Sequence, residues 1–174
     1  MRLFYALTFD TLSIKRIGEC RDFVAGYANK GRFTQSDNFH ITLAFIGSTP
    51  VEQVSQFSAL LALLPEPPKF VTAERLGAFH RKAEELVWLG IEREQSLMDL
   101  QSQLDQLLVA SGFSTEPRAY IPHITLGRNI EMNESLADLV FMPIELQLRS
   151  VALMESKQEQ GKLVYKVVDE ILLP

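Results

Sequence analysis

The chain is poor in the residues that build disulfides and metal clusters: one cysteine and three histidines in 174 residues. A lone Cys20 excludes an intramolecular disulfide and a Cys-based zinc site. No apolar run approaches the roughly 20 residues of a membrane span, and Met1-Arg2-Leu3-Phe4-Tyr5 lacks the layout of a signal peptide. Positive charge is also scarce, with 17 Lys and Arg against 22 Asp and Glu and a net charge of −5. That balance argues against a broad basic surface gripping long nucleic acid, while leaving room for a local pocket around one phosphate. A soluble, cytoplasmic monomer without membrane attachment is expected. Hydrophobic residues, at 47%, suffice for the core of one domain or of two small lobes sharing a core.

Periodicity divides the chain into short elements. Residues 2 to 9 read as a strand, and Ile14, Ile17, Cys20, Phe23, Val24 and Tyr27 recur at helical spacing, predicting a helix over 13–29. Residues 38–46 (NFHITLAFI) form a β-rich run, and Thr49-Pro50 opens a helix over 51–64 that the following prolines stop. Two apolar stretches from Phe70 to Gly90 flank His80-Arg81-Lys82-Ala83-Glu84, a hairpin with a charged tip. Leu97, Leu100, Leu104, Leu107 and Leu108 mark a helix over 94–111. A strand over 119–128, a short helix over 133–140 and a final hairpin with strands over 144–154 and 162–172 complete the reading.

What the chain does have is the tetrapeptide His-Ile-Thr-Leu twice, at residues 40–43 and 123–126. Chance places Ile-Thr-Leu after a given histidine on the order of once in a few thousand cases. The copies start 83 residues apart, close to half the chain, and each lies on a predicted strand that follows a helix. Two similar lobes are the natural reading. Because strand side chains alternate, His40 shares a face with Thr42, and His123 with Thr125, while Ile41, Leu43, Ile124 and Leu126 are free to pack inward.

Two imidazoles and two hydroxyls suit metal-independent chemistry at phosphorus. With a pKa of roughly 6.5, one ring can be neutral and act as base while the other is protonated and acts as acid. The hydroxyls and a cationic side chain then donate to the non-bridging oxygens. The residues alone leave open which histidine plays which part. A zinc site lacks ligands, so no metal or cofactor is expected. His80, in the charged tip, reads as a solvated residue.

At these residues the chain resembles the two-histidine (2H) phosphoesterases, and within them the RNA 2′,3′-cyclic phosphodiesterase branch, also called 2′-5′ RNA ligase. The likeness is carried by Arg2-Leu3-Phe4, Asn38 to Gly47, Val87-Trp88-Leu89-Gly90, Pro122 to Arg128, Leu153 to Ser156 and Gly161 to Tyr165, and so spans nearly the whole chain. The resemblance implies an α+β fold of two pseudo-symmetric lobes with antiparallel sheets and flanking helices, making one domain over residues 1–174. In it the His40 and His123 motifs occupy equivalent strands facing one central groove. It also implies hydrolysis of RNA 2′,3′-cyclic phosphate ends to 2′-phosphates without a cofactor. His40 would be the proton donor and His123 the proton acceptor, with Thr42 and Thr125 on the phosphate. The alternatives are 2′-5′ ligation, action on another small cyclic or 2′-5′ nucleotide, and a non-catalytic receptor for RNA ends.

Phe45 and Arg128 each follow a motif histidine by five residues. The resemblance makes Arg128 a phosphate contact and places Phe45 near the bound nucleotide. In a regular strand, parity would put both on the face opposite the histidines, so these roles require a twist or bulge. Many members carry an Arg-Trp and proline lead-in to the first motif; here it is Gly31 to Asp37, in which Arg32 and Phe33 are candidates for a phosphate neighbour and a stacking ring.

Overall fold

The aromatic and branched side chains of β1 (Arg2–Phe9) are buried on both of its faces, so this strand must lie inside a sheet and be covered on each side. In the computed structural model, which describes residues 1–81 and 84–174, that is its position. β1 is followed by α1 (Thr11–Ala25), β2 (Ala28–Phe33), β3 (Ile41–Ser48), α2 (Val54–Leu60), β4 (Phe70–Arg81) and β5 (Glu84–Ile91). Then come α3 (Gln95–Ala110), β6 (His123–Met132), β7 (Ile144–Glu159) and β8 (Lys162–Leu172).

All strand pairings among the described residues are antiparallel, in the order β2-β6-β5-β4-β7-β1-β3, with β8 also on β7. The start of β7, residues 144–147, pairs with β4, and residues 150–159 pair with β8. β7 thus joins a β3-β1-β7-β8 sheet to a β2-β6-β5-β4 sheet. Each sheet repeats one unit: a strand, a helix, and a returning antiparallel strand that carries a His-Ile-Thr-Leu copy. These units are β1-α1-β3 and β5-α3-β6. The architecture is α+β with antiparallel sheets.

The helices cover one side of the strands. Leu97, Leu100, Leu104 and Leu108 form the buried stripe of α3 and meet Ile17 and Val24 of α1, Phe57 of α2, and inward-facing Tyr5, Leu7, Ile41, Leu43, Leu89, Ile124 and Leu126. Each fully buried leucine contributes about 1.5–3 kcal/mol. The Tyr5 hydroxyl, inside this core, donates to the Phe57 carbonyl at 2.7 Å. A second cluster, Phe4, Ala6, Ala152 and Met154, lies on the opposite side of β1 and β7, with Tyr165 packed on it. No helix among the described residues is long and apolar enough to cross a membrane.

Several element boundaries differ from the sequence expectation. The first helix stops at Ala25, and residues 28–33 form β2 instead, an edge strand with mostly exposed side chains and no alternation to betray it. The 51–64 helix is α only over Val54–Leu60, with 3₁₀ turns at Val51–Gln53 and Leu61–Leu63. The helix expected at 133–140 is a single 3₁₀ turn, Leu136–Asp138, because the span between its Ser135 cap and Pro143 is too short to repay nucleation. β6 lies later than expected, and β7 extends to Glu159 before a turn in which Gln160 and Gly161 have φ of 52° and 77°. Of the charged hairpin tip, Lys82 and Ala83 lie outside the described residues.

Trp88 lies flat on Gly77: a Cβ there would come within 2.2–2.6 Å of three ring carbons. Gly77→Ala should therefore cost about 1–3 kcal/mol of stability by overpacking. Urea unfolding of the variant checks this, and an unchanged midpoint would mean that the ring is free to move away.

Candidate active site

His40 immediately precedes β3, and His123 is the first residue of β6. In both, Nδ1 lies 2.7 Å from the carbonyl oxygen two residues back, that of Asn38 for His40 and of Ile121 for His123. A carbonyl can only accept, so each Nδ1 carries the hydrogen and each neutral ring keeps a bare Nε2. His40 Nε2 is 2.9 Å from Thr42 Oγ1, which donates to it while the ring is neutral. The Asn38 carboxamide anchors this arrangement to β8: Nδ2 donates to the Leu163 carbonyl at 2.9 Å, and Oδ1 accepts from Tyr165 N at 3.3 Å.

Aromatic rings confine both imidazoles. His40 stands edge-on to Tyr165, with centroids 5.1 Å apart at 89°, and tilted against Phe4, also at 5.1 Å. His123 stands edge-on to Phe79, 5.1 Å away at 88°, and tilted against Trp88 at 6.0 Å. The Arg75 guanidinium sits 5.6 Å from the Trp88 ring centre. Trp88 Nε1 is buried without a hydrogen-bond partner among the described residues. Spacing along the sequence could not disclose these neighbours, since Phe4, Phe79, Trp88 and Tyr165 reach the histidines across strands.

Two bulges decide the faces of Phe45 and Arg128. On β1, Ala6 pairs with Thr42 and Tyr5 with Ala44, leaving Leu43 as an extra residue. On β5, Trp88 pairs with Thr125 and Val87 with Gly127, leaving Leu126 extra at the matching place. Each insertion reverses the alternation beyond it. Ala44 and Gly127 therefore join the core side, and Phe45 and Arg128 turn to the side of the histidines. Phe45 pairs with Phe4, its ring 6.0 Å from the Phe4 ring, and is 65% exposed, which excludes a core-packing role. Arg128 pairs with Arg32 across β6 and β2, so both side chains leave the sheet on that face. Phe33 pairs with Gly127 and so follows the opposite face from Arg32.

Burial lowers the pKa of His40 from the ordinary value of 6.5 to about 4, against the raising effect of the Asn38 carbonyl. The charges of His123 and Arg128 lower it further, so both are near enough to be felt at this ring. His80 is elsewhere. It is exposed and lines a cleft of about 940 Å³ with Lys30, Asn129 and Glu131. As Phe79 meets His123, its neighbours Ala78 and His80 point to the reverse side of β4.

A sequence profile of the 2′-5′ RNA ligase superfamily matches residues 10–160. The chain belongs to that superfamily. It is 28% identical to the RNA 2′,3′-cyclic phosphodiesterase of Thermotoga maritima, over 98% of this chain and 94% of that protein. With the protein of the same name from Methanothermobacter thermautotrophicus the identity is 26%, over 94% and 91% of the two chains. Among solved structures, Escherichia coli LigT complexed with 3′-AMP superposes with a TM-score of 0.80 at 26% identity, covering 99% of this chain and 97% of LigT. The antiparallel architecture is thus shared with superfamily members along nearly their full length.

The depressed pKa of His40 ties stability to pH. Once unfolded, the ring titrates near 6.5 and binds a proton that the folded ring takes up only near 4. Its contribution is full above pH 6.5 and is lost as pH falls through 4. Urea unfolding between pH 7 and 4.5 should show a steeper loss for wild type than for His40→Gln, whereas equal slopes would mean that His40 titrates normally in the folded chain.

Proposed function

We propose that this protein is a metal-independent RNA 2′,3′-cyclic phosphodiesterase that opens a 2′,3′-cyclic phosphate end to a 2′-phosphate. The observation carrying the proposal is the matched pair of imidazoles, each fixed through Nδ1 to a carbonyl and each offering Nε2 for proton transfer, with the charge of one felt by the other.

In this reading, His123 Nε2 removes a proton from water as the water oxygen attacks phosphorus. The bond from phosphorus to the 3′-oxygen breaks, and His40 Nε2–H delivers its proton to that oxygen. Thr42, Thr125 and Arg128, with Arg32 beside it, hold the non-bridging oxygens as charge builds on them. The difference between Phe45 and Arg128 breaks the pseudo-symmetry and supports the assignment of roles. Phe45 offers an exposed ring for a base on the His40 side, so the departing sugar oxygen lies nearest His40 and water enters from the side of His123.

His40 is neutral in the free protein near pH 7, because its pKa is about 4. The substrate phosphate, placed between two imidazoles and beside two arginines, supplies the negative charge that restores the proton needed by an acid. Binding of a nucleoside 3′-phosphate near pH 6 should therefore be accompanied by proton uptake. Calorimetry in two buffers of different ionisation enthalpy reads this directly, and identical heats would remove His40 as the donor.

The reaction is tested with an RNA oligomer ending in a 2′,3′-cyclic phosphate in excess EDTA. A 2′-phosphate should form, and His40→Ala or His123→Ala should each lower kcat by roughly 10²–10⁴-fold. Undiminished turnover in both variants would end the proposal. Supplying a 5′-hydroxyl RNA in the same assay distinguishes hydrolysis from 2′-5′ joining.

A further inference from the structure

We infer that Tyr120 is a positioning residue that sets the geometry of His40 and Thr42 from the opposite half of the chain; this rests on the proposed catalytic role of that pair. Tyr120 lies three residues before His123, yet its hydroxyl donates to the carbonyl of Thr42 at 2.7 Å. Burial, and secondarily the charge of Asp105, push its pKa far above the usual tyrosine value, so the hydroxyl keeps its hydrogen at any working pH. The next carbonyl, that of Leu43, accepts from Gln101 Nε2 of α3 at 3.2 Å.

These two carbonyls belong to the bulge that separates Thr42 from Ala44. A bulge leaves backbone groups outside the ladder, and it persists where other partners satisfy them. β3 is moreover the last strand of its sheet, so no further strand is present to do so. The second motif lies on an inner strand, and its bulge is served by the neighbouring strand β2. Its bulge residue Leu126 receives a hydrogen bond on its carbonyl from Thr34 N, at 2.8 Å, in the first half.

Thr42, whose Oγ1 bonds His40 Nε2, is the residue at which the bulge begins, and beyond the bulge Phe45 turns to the side of the histidines. Without the Tyr120 hydroxyl, the Thr42 carbonyl loses this hydrogen bond and the segment relaxes away from this geometry. Tyr120 thus acts through Thr42 and does not touch the reacting atoms.

Tyr120→Phe removes only the hydroxyl. It should lower kcat on a cyclic-phosphate RNA end about five- to tenfold, the size expected for one hydrogen bond. Added to Thr42→Val, the same change should alter kcat less than about twofold, because the path it acts through is already gone. The ¹⁵N resonance of His40 Nε2 in Tyr120→Phe should also shift toward its position in Thr42→Val. Independent, multiplicative losses, or a lowered Tm with kcat and the resonance unchanged, would overturn the inference. If wild type turns over no cyclic phosphate, the proposed function fails, while the resonance comparison still decides the part played by Tyr120.

Discussion

A one-residue slip in strand register just after each motif threonine, at Leu43 and at Leu126, determines which side chains share a surface with the histidines. Were β3 and β6 regular, Phe45 and Arg128 would project among the helices, where a guanidinium would need a partner to be tolerated. The extra residues Leu43 and Leu126 remove that conflict. Their own side chains stay buried, so the core loses nothing, and the residue after each small Ala44 or Gly127 is re-aimed. Gly127 is required for space as well: a Cβ there would meet the Ile130 side chain at 2.7 Å and the Arg32 carbonyl at 3.1 Å.

The same construction gives two near-identical imidazole environments different flanks. Both imidazoles are tied to a carbonyl two residues back and wedged edge-on to an aromatic ring. Beyond the bulges the halves diverge, with an exposed ring on one side and paired arginines on the other. A symmetric pair of rings has no preferred direction for proton flow. In the proposed reaction the asymmetric surroundings would provide one, through the way they let an elongated nucleotide lie between the rings.

The features legible in the sequence were those that depend on local spacing. The repeated His-Ile-Thr-Leu, the leucine stripe of α3 and the closing hairpin all follow from periodicity. β2 was hidden because an exposed edge strand needs no apolar alternation, and a helix was expected at 133–140 because a cap and a few leucines do not reveal that the span is too short. Parity along a strand raised the question of Phe45 and Arg128 but could not answer it, since a bulge is set by pairing with β1 or β5. The ring neighbours Phe79 and Tyr165, and the reach of Tyr120 to Thr42, depend on contacts between strands far apart in the chain.

The Asn38 carboxamide bonds to Leu163 and Tyr165, and thereby makes His40 answerable to the last strand of this chain. During synthesis both motifs and both bulge-forming segments emerge before β8 does. A chain ending at β7 would carry both histidines and still lack the strand to which Asn38, beside His40, is bonded. The C-terminal hairpin is therefore part of the His40 environment as well as the edge of a sheet, and a chain without β8 would keep both imidazoles but lose the hold on the Asn38 side chain.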